Sequence, residues 1–174
     1  MTKTIQLSPE TVANVRDAVF ALAEQHLDAP FCLVAVDFEK ESGHWYLRLY
    51  VDKPGNDGPK VSLQDCETVS RTLDESIETI KALRDFPYIL EVSSPGAFRP
   101  LTTAREFEFY KNRLIKIERP LKSNPKRTEV LTGILGGFIG DALTLVTPDG
   151  PQAVTLTPET QVYLNPPVPH LSDN

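Results

Sequence analysis

The sequence predicts an α+β chain in two parts: an N-terminal α-β-β-α-β half and a C-terminal all-β half curved into a small barrel. Three observations predict it. Long apolar stripes at helical spacing occur only before residue 100. Five short strand-like runs crowd the last third of the chain. Between the two patterns lies LEVSSPGAFRPL, Leu90–Leu101, which alternates like a strand and then breaks into serines, Pro-Gly and Arg-Pro.

Ser8-Pro9-Glu10 opens the first helix, with serine as N-cap, proline at the first helical position and an acid in the first turn. Val12, Val15, Val19, Leu22 and His26 recur at three and four residues and form its stripe, which ends near Asp28 and Pro30. FCLVAVDF, Phe31–Phe38, is apolar and β-rich, and WYLRLYVD, Trp45–Asp52, sets Leu47, Leu49 and Val51 opposite Tyr46, Arg48 and Tyr50. The ESG between them makes a hairpin. After the turn-rich loop KPGNDGP, Ser62 and Asp65 fit a capping box opening a second helix, with Cys66, Val69, Leu73, Ile77, Ile80 and Leu83 as its stripe. Tyr88–Val92 is a third strand. The expectation is two helices covering one face of a small antiparallel sheet.

Beyond the joint, Ala104–Asn112 reads as one short helix. RLIKIER, EVLTGIL, ALTLVT, AVTLT and QVYL then read as five strands, separated by NPK, Gly-Asp, PDG and Pro-Glu-Thr turns. Gly133 within a strand is read as relieving a sharp bend of the barrel. The boundary falls around Gly96–Thr103, giving expected domains at 1–98 and 99–174.

With 174 residues, 40% of them hydrophobic and 24% charged, the chain has globular composition. No apolar run approaches the ~20 residues that span a bilayer, and MTKTIQLSPE has no signal-peptide core. A soluble cytoplasmic protein is expected, with no membrane contact. Cys32 and Cys66 lie inside apolar patterns as small thiols, and His26, His44 and His170 have no metal-site spacing. No metal, cofactor or disulfide is expected.

Charge is distributed unevenly. Residues 1–96 hold nine Lys/Arg against sixteen Asp/Glu, a net −7, and residues 128–174 hold five acids and no Lys or Arg. Between them, Arg99, Arg105, Lys111, Arg113, Lys116, Arg119, Lys122, Lys126 and Arg127 face only three acids, a net +6. One basic segment between acidic ones suits a ligand that carries both phosphate and basic protein. Asp65, Glu67, Asp74, Glu75 and Glu78 lie opposite the second helix's stripe, as a solvated face or a surface for a basic protein.

Two motifs resemble chemistry without supplying it. Ser93 and Ser94 are not flanked by glycine two residues away on both sides, as a nucleophile elbow needs, because Glu91 and Val92 stand before them, so they are read as satisfying backbone groups where the strand ends. GILGGFIG, Gly133–Gly140, is flanked by strands and lacks a P-loop lysine, so it is read as a hairpin of the barrel. No catalytic residue is assigned.

DCETVSRTLDESI, Asp65–Ile77, followed by YILEVSSPGAFRPL, Tyr88–Leu101, and a five-strand C-terminal half resembles the bacterial ribosome maturation factor RimP family. The likeness covers nearly the whole chain in order. The matching signature positions are Asp65, Cys66, Ser70, Leu90, Glu91, Ser93, Ser94, Pro95, Gly96, Arg99, Pro100 and Leu101. Ala97-Phe98 departs from the usual aliphatic-acidic pair, and Asn112 stands where the family usually has glycine. Asparagine tolerates the left-handed backbone that glycine would adopt.

The resemblance implies a KH-like N-terminal domain and an Sm-like, SH3-like C-terminal barrel. It implies a non-enzymatic, monomeric factor that binds the free, immature small ribosomal subunit. That factor promotes incorporation of a basic small-subunit protein near the decoding region. On this reading Arg99, Arg105, Lys111, Arg113, Lys116, Lys122, Lys126 and Arg127 bind the ribosomal particle, and Ser93, Ser94, Pro95, Gly96 and Pro100 form the interdomain joint. Pro100 holds Arg99 extended, placing it to contact phosphate or to pair with an acid of the first domain. A general single-stranded RNA-binding protein is the alternative, and a serine enzyme is the third reading.

Overall fold

The computed structural model describes residues 6–55, 60–95 and 99–164. Gly96, Ala97, Phe98, His170 and the 56–59 part of the KPGNDGP loop lie outside the described residues. The chain divides into two compact units, Met1–Pro95 and Gly96–Asn174.

In the first unit the Ser8 hydroxyl accepts the Thr11 N–H and opens α1, Pro9–His26. Its buried line is Val15, Val19 and Ala23. His26, assigned to the stripe by spacing, is instead exposed in the last turn, because the buried line runs through Ala23 toward the cap at Leu27. β1, Cys32–Glu41, and β2, His44–Asp52, form the expected hairpin. Its turn places Ser42 at φ 48° and Gly43 at φ 89°, the two positive values that suit a tight right-twisted hairpin.

α2, Leu63–Glu78, begins in a complete capping box: the Ser62 hydroxyl accepts the Asp65 N–H, and the Asp65 carboxylate accepts the Ser62 N–H. Cys66, Val69, Leu73 and Ile77 are buried along it. The helix stops before Ile80 and Leu83, which still pack on the core from the following turns. Leu47, Leu49 and Val51 meet both helices from β2, and Phe38, Trp45 and Phe86 close one end with ring centroids 4.9–6.1 Å apart.

β3, Ile89–Ser93, completes the sheet in the order β1-β2-β3, but it runs parallel to β2. The expected all-antiparallel sheet is thus corrected. The crossover through α2 returns the chain in the direction of β2, which a hairpin cannot do. Alternation along Leu90 and Val92 reports which face is buried and is silent on strand direction.

In the second unit α3, Ala104–Phe109, is shorter than the expected Ala104–Asn112. Asn112 takes φ 67°, a left-handed residue that ends the helical turn, and its N–H bonds the Leu135 carbonyl at 2.8 Å. The strands are β4 (Leu114–Leu121), β5 (Asn124–Ile139), β6 (Ala142–Thr147), β7 (Gly150–Thr155) and β8 (Gln161–Leu164). They form one antiparallel sheet ordered β7-β6-β5-β4-β8, with no ladder between β7 and β8 among the described residues.

β5 is long enough to pair with β4 along its first part and with β6 along its second. NPK, expected as a turn, lies inside β5; the turn is Lys122-Ser123, and the ladder shifts register beside it. Proline is tolerated there because Pro125 falls between ladder pairs and owes no backbone hydrogen bond. Ile115, Ile117, Leu135, Leu143, Leu145, Val154 and Val162 fill the buried face with Phe107 and Tyr110. At Gly133 an added Cβ would stand 2.7 Å from the Val146 carbonyl oxygen, so glycine serves close strand approach there, while the irregularity of β5 lies between Leu135 and Gly137.

Candidate functional site

The segment from β3 to α3 is built from its capping residues outward. β3 ends at Ser93, paired in parallel register with Tyr50. Ser93 and Ser94 are exposed and Pro95 is buried. The Ser94 N–H reaches the Cys66 thiol, so the two signature motifs meet in space within the first unit. Burial and the neighbouring Asp65 charge push the Cys66 thiol up, which makes it a packing group and a poor nucleophile. Cys32 is partly exposed.

In the second unit the described residues begin at Arg99. The Leu101 N–H bonds the Val162 carbonyl at 2.7 Å and ties this segment to β8. Thr103 caps α3 in a second capping box with Glu106. Glu106 is fully buried, and it is the one charged residue so buried among those described. One carboxylate oxygen accepts the Thr102 and Thr103 N–H groups, both at 3.0 Å, and the Thr103 hydroxyl at 3.0 Å; the other accepts the Arg99 guanidinium. Arg99 therefore turns inward to an acid of its own unit, where an outward extension or an acid of the first domain was expected. A buried carboxylate needs a counter-charge, and Arg99 is the cation within reach. The Thr-x-x-Glu spacing of Thr103 and Glu106 carried this cap in the sequence; the burial of the carboxylate did not show there.

The remaining basic residues fall into two groups. Lys116 pairs with Glu118 at 2.7 Å and lies 5.1 Å from the Tyr163 ring. Arg119 pairs with Glu129 at 2.7 Å, and Arg113 stands 5.9 Å from the Tyr110 ring. Arg105 is exposed on α3. Lys111, Lys122, Lys126 and Arg127 are exposed, and among the described residues no carboxylate pairs with them. The net +6 thus concentrates its unneutralised charge at Lys111 and at the β4-β5 hairpin tip.

On the first unit the sheet face opposite the helices is acidic. Arg48 sits at its centre, donating to Glu91 and Glu39 at 2.7 and 2.8 Å and through two nitrogens to Glu41 at 2.7 and 2.8 Å. It also lies 4.8 Å from the Tyr46 ring. Glu41 first and then Glu91 raise the Arg48 pKa, and Arg48 in turn holds Glu41 below the usual carboxylate range. Three carboxylates around one guanidinium leave the cluster net negative. Sequence reading missed it, because Glu91 joins only once β3 lies beside β2. On α2, Glu67, Asp74, Glu75 and Glu78 are exposed, as a solvated face requires. Asp65 is instead engaged by the Ser62 N–H and by Lys53 Nζ at 2.9 Å, which hold it down at about 2.

Among the described residues no group of three His, Cys, Asp or Glu side chains is placed to hold a metal ion, and no helix is long and apolar enough to cross a membrane. Residues 22–98 match the family model of the RimP N-terminal domain. That span holds β1, β2, α2, β3 and both halves of the motif pair Asp65-Cys66 and Ser93-Ser94-Pro95. Over these residues the chain is similar to the RimP family of ribosome maturation factors.

Proposed function

We propose that this chain binds the free, immature small ribosomal subunit and assists its late assembly, promoting incorporation of a basic ribosomal protein near the decoding region. The observation that carries the reading is the match of residues 22–98 to the RimP N-terminal domain, on a chain whose first 96 residues are net −7 and whose nine later cations all lie between Arg99 and Arg127. The acidic sheet face around Arg48 and the acids of α2 suit a lysine-rich protein; the uncompensated cations of the second unit suit ribosomal RNA phosphates. In this reading residues 1–98 and 99–174 are separate domains, the five-stranded sheet closes as an Sm-like barrel, Gly96 belongs to the joint, and the factor acts as a cytoplasmic monomer without catalysis.

A second reading, a general single-stranded RNA-binding module, draws on GNDG at residues 55–58, which has the GXXG spacing of a KH backbone clamp. Asp57 inside that run opposes phosphate. Pull-down of the tagged chain from bacterial lysate with sizing of the bound particle tests both. Recovery of immature small subunits supports the first reading, and recovery of bulk messenger RNA supports the second.

A further inference from the structure

The β4-β5 hairpin tip differs from the rest of the basic segment. Residues 122–128, Lys-Ser-Asn-Pro-Lys-Arg-Thr, are all exposed. They contain three cations and no acid, while Arg99, Lys116 and Arg119 of the same segment are already paired with carboxylates. The tip is shaped as well as charged. Pro125, Lys126 and Arg127 fall between the ladder pairs Leu121↔Asn124 and Pro120↔Thr128, so they bulge from the ribbon. The Lys126 N–H bonds Asn124 Oδ1 at 3.2 Å, which holds the bulge in one turn.

We propose that this tip is a contact for double-helical RNA, in which Lys122, Lys126 and Arg127 grip phosphates and Ser123, Asn124 and Thr128 meet the ribose hydroxyls. Modules that bind single-stranded RNA stack bases on aromatic rings, and the tip holds none from Leu121 to Thr128. Double-helical RNA is recognised through phosphates and 2′-hydroxyls across its shallow groove, for which cations and short polar side chains are the matching set. An acidic protein would satisfy the cations alone and leave the short polar side chains without purpose. The proposal rests on the ribosomal reading and adds to it the kind of RNA and the residues that touch it.

The test is co-sedimentation of the full chain with purified small subunits across a salt series, using Lys122→Ala/Lys126→Ala/Arg127→Ala. A charge-keeping partner variant, Lys122→Arg/Lys126→Arg/Arg127→Lys, is run beside it. Circular dichroism checks that both are folded. Losing three phosphate contacts should weaken binding roughly 10- to 100-fold near 0.1 M salt and make the log-log salt slope shallower by about 3. The charge-keeping variant should bind like the parent. A 16-base-pair RNA duplex should compete for the parent chain, and a 16-nucleotide single strand should compete less. Parent-like affinity and slope in the alanine variant overturn the proposal while leaving the ribosomal reading intact. Better competition by the single strand overturns the duplex assignment, and weakened binding with an unchanged slope points to a protein contact instead. A parent chain that does not sediment with subunits overturns the ribosomal reading and the proposal with it.

Discussion

Arg99 and Glu106 form an ion pair in which the carboxylate is fully buried and the guanidinium side chain is 16% exposed. This pair, with the Thr102 and Thr103 N–H groups on the same carboxylate, fixes the path by which the chain enters its second unit. Glu106→Ala strands two backbone donors and a half-buried guanidinium, and should cost about 3 to 5 kcal/mol. Arg99→Glu, which an outward side chain would have made nearly neutral for stability, should be costly too, because it sets a second carboxylate against the first. Urea denaturation followed by circular dichroism measures both. Unchanged midpoints in the two variants would remove Glu106 from its organising place.

The Arg48 cluster predicts a salt-dependent effect in the first unit. Arg48→Met leaves Glu39, Glu41 and Glu91 facing one another and should lose about 1 kcal/mol at low salt. Because the loss is repulsion among half-exposed carboxylates, the gap to the parent should shrink as salt rises toward 1 M. Paired denaturation curves at two salt concentrations decide it; a salt-independent gap would mean that packing of the Arg48 stem dominates.

Two neighbouring glycines should respond oppositely to alanine. A Cβ at Gly133 would meet the Val146 carbonyl oxygen at 2.7 Å and the Leu145 side chain at 2.9 Å, so Gly133→Ala should destabilise by about 1 to 3 kcal/mol. At Gly137 a Cβ meets nothing within 4 Å, and Gly137→Ala should stay within about 0.5 kcal/mol of the parent. Equal losses at both positions would show that backbone freedom, and not space, selects glycine here.

Asp65 gives the first unit an acid-sensitive contribution. Its pKa falls from the ordinary 3.8 to about 2, first through the Ser62 N–H and then through Lys53. A depressed carboxylate pKa stabilises the fold above the unfolded value, and that contribution drains away as pH falls through the folded value. Asp65→Ala should therefore lower the melting temperature at neutral pH, with the gap closing between about pH 4 and pH 2. A gap of constant size over that range would show that the loss does not come from the Asp65 charge.

The sequence by itself determined whatever depends on neighbours along the chain. Ser8, Ser62 and the spacing of Val69, Leu73 and Ile77 placed both helices, because caps and stripes are local devices. Asn112 was read as the end of the short helix, and only the family resemblance, which has glycine there, pointed to the left-handed backbone it adopts. Only the tertiary structure decided which groups meet across long separations. The parallel course of β3, the Glu91 contact to Arg48 and the approach of Gly133 to Val146 arise from strand order, which period-2 alternation does not encode. The same holds for charge: a count of nine basic residues treats Arg99 and Lys126 alike, whereas folding buries the first against Glu106 and leaves the second in water. Desolvation depends on what packs around a group, and that is settled only when the chain closes upon itself.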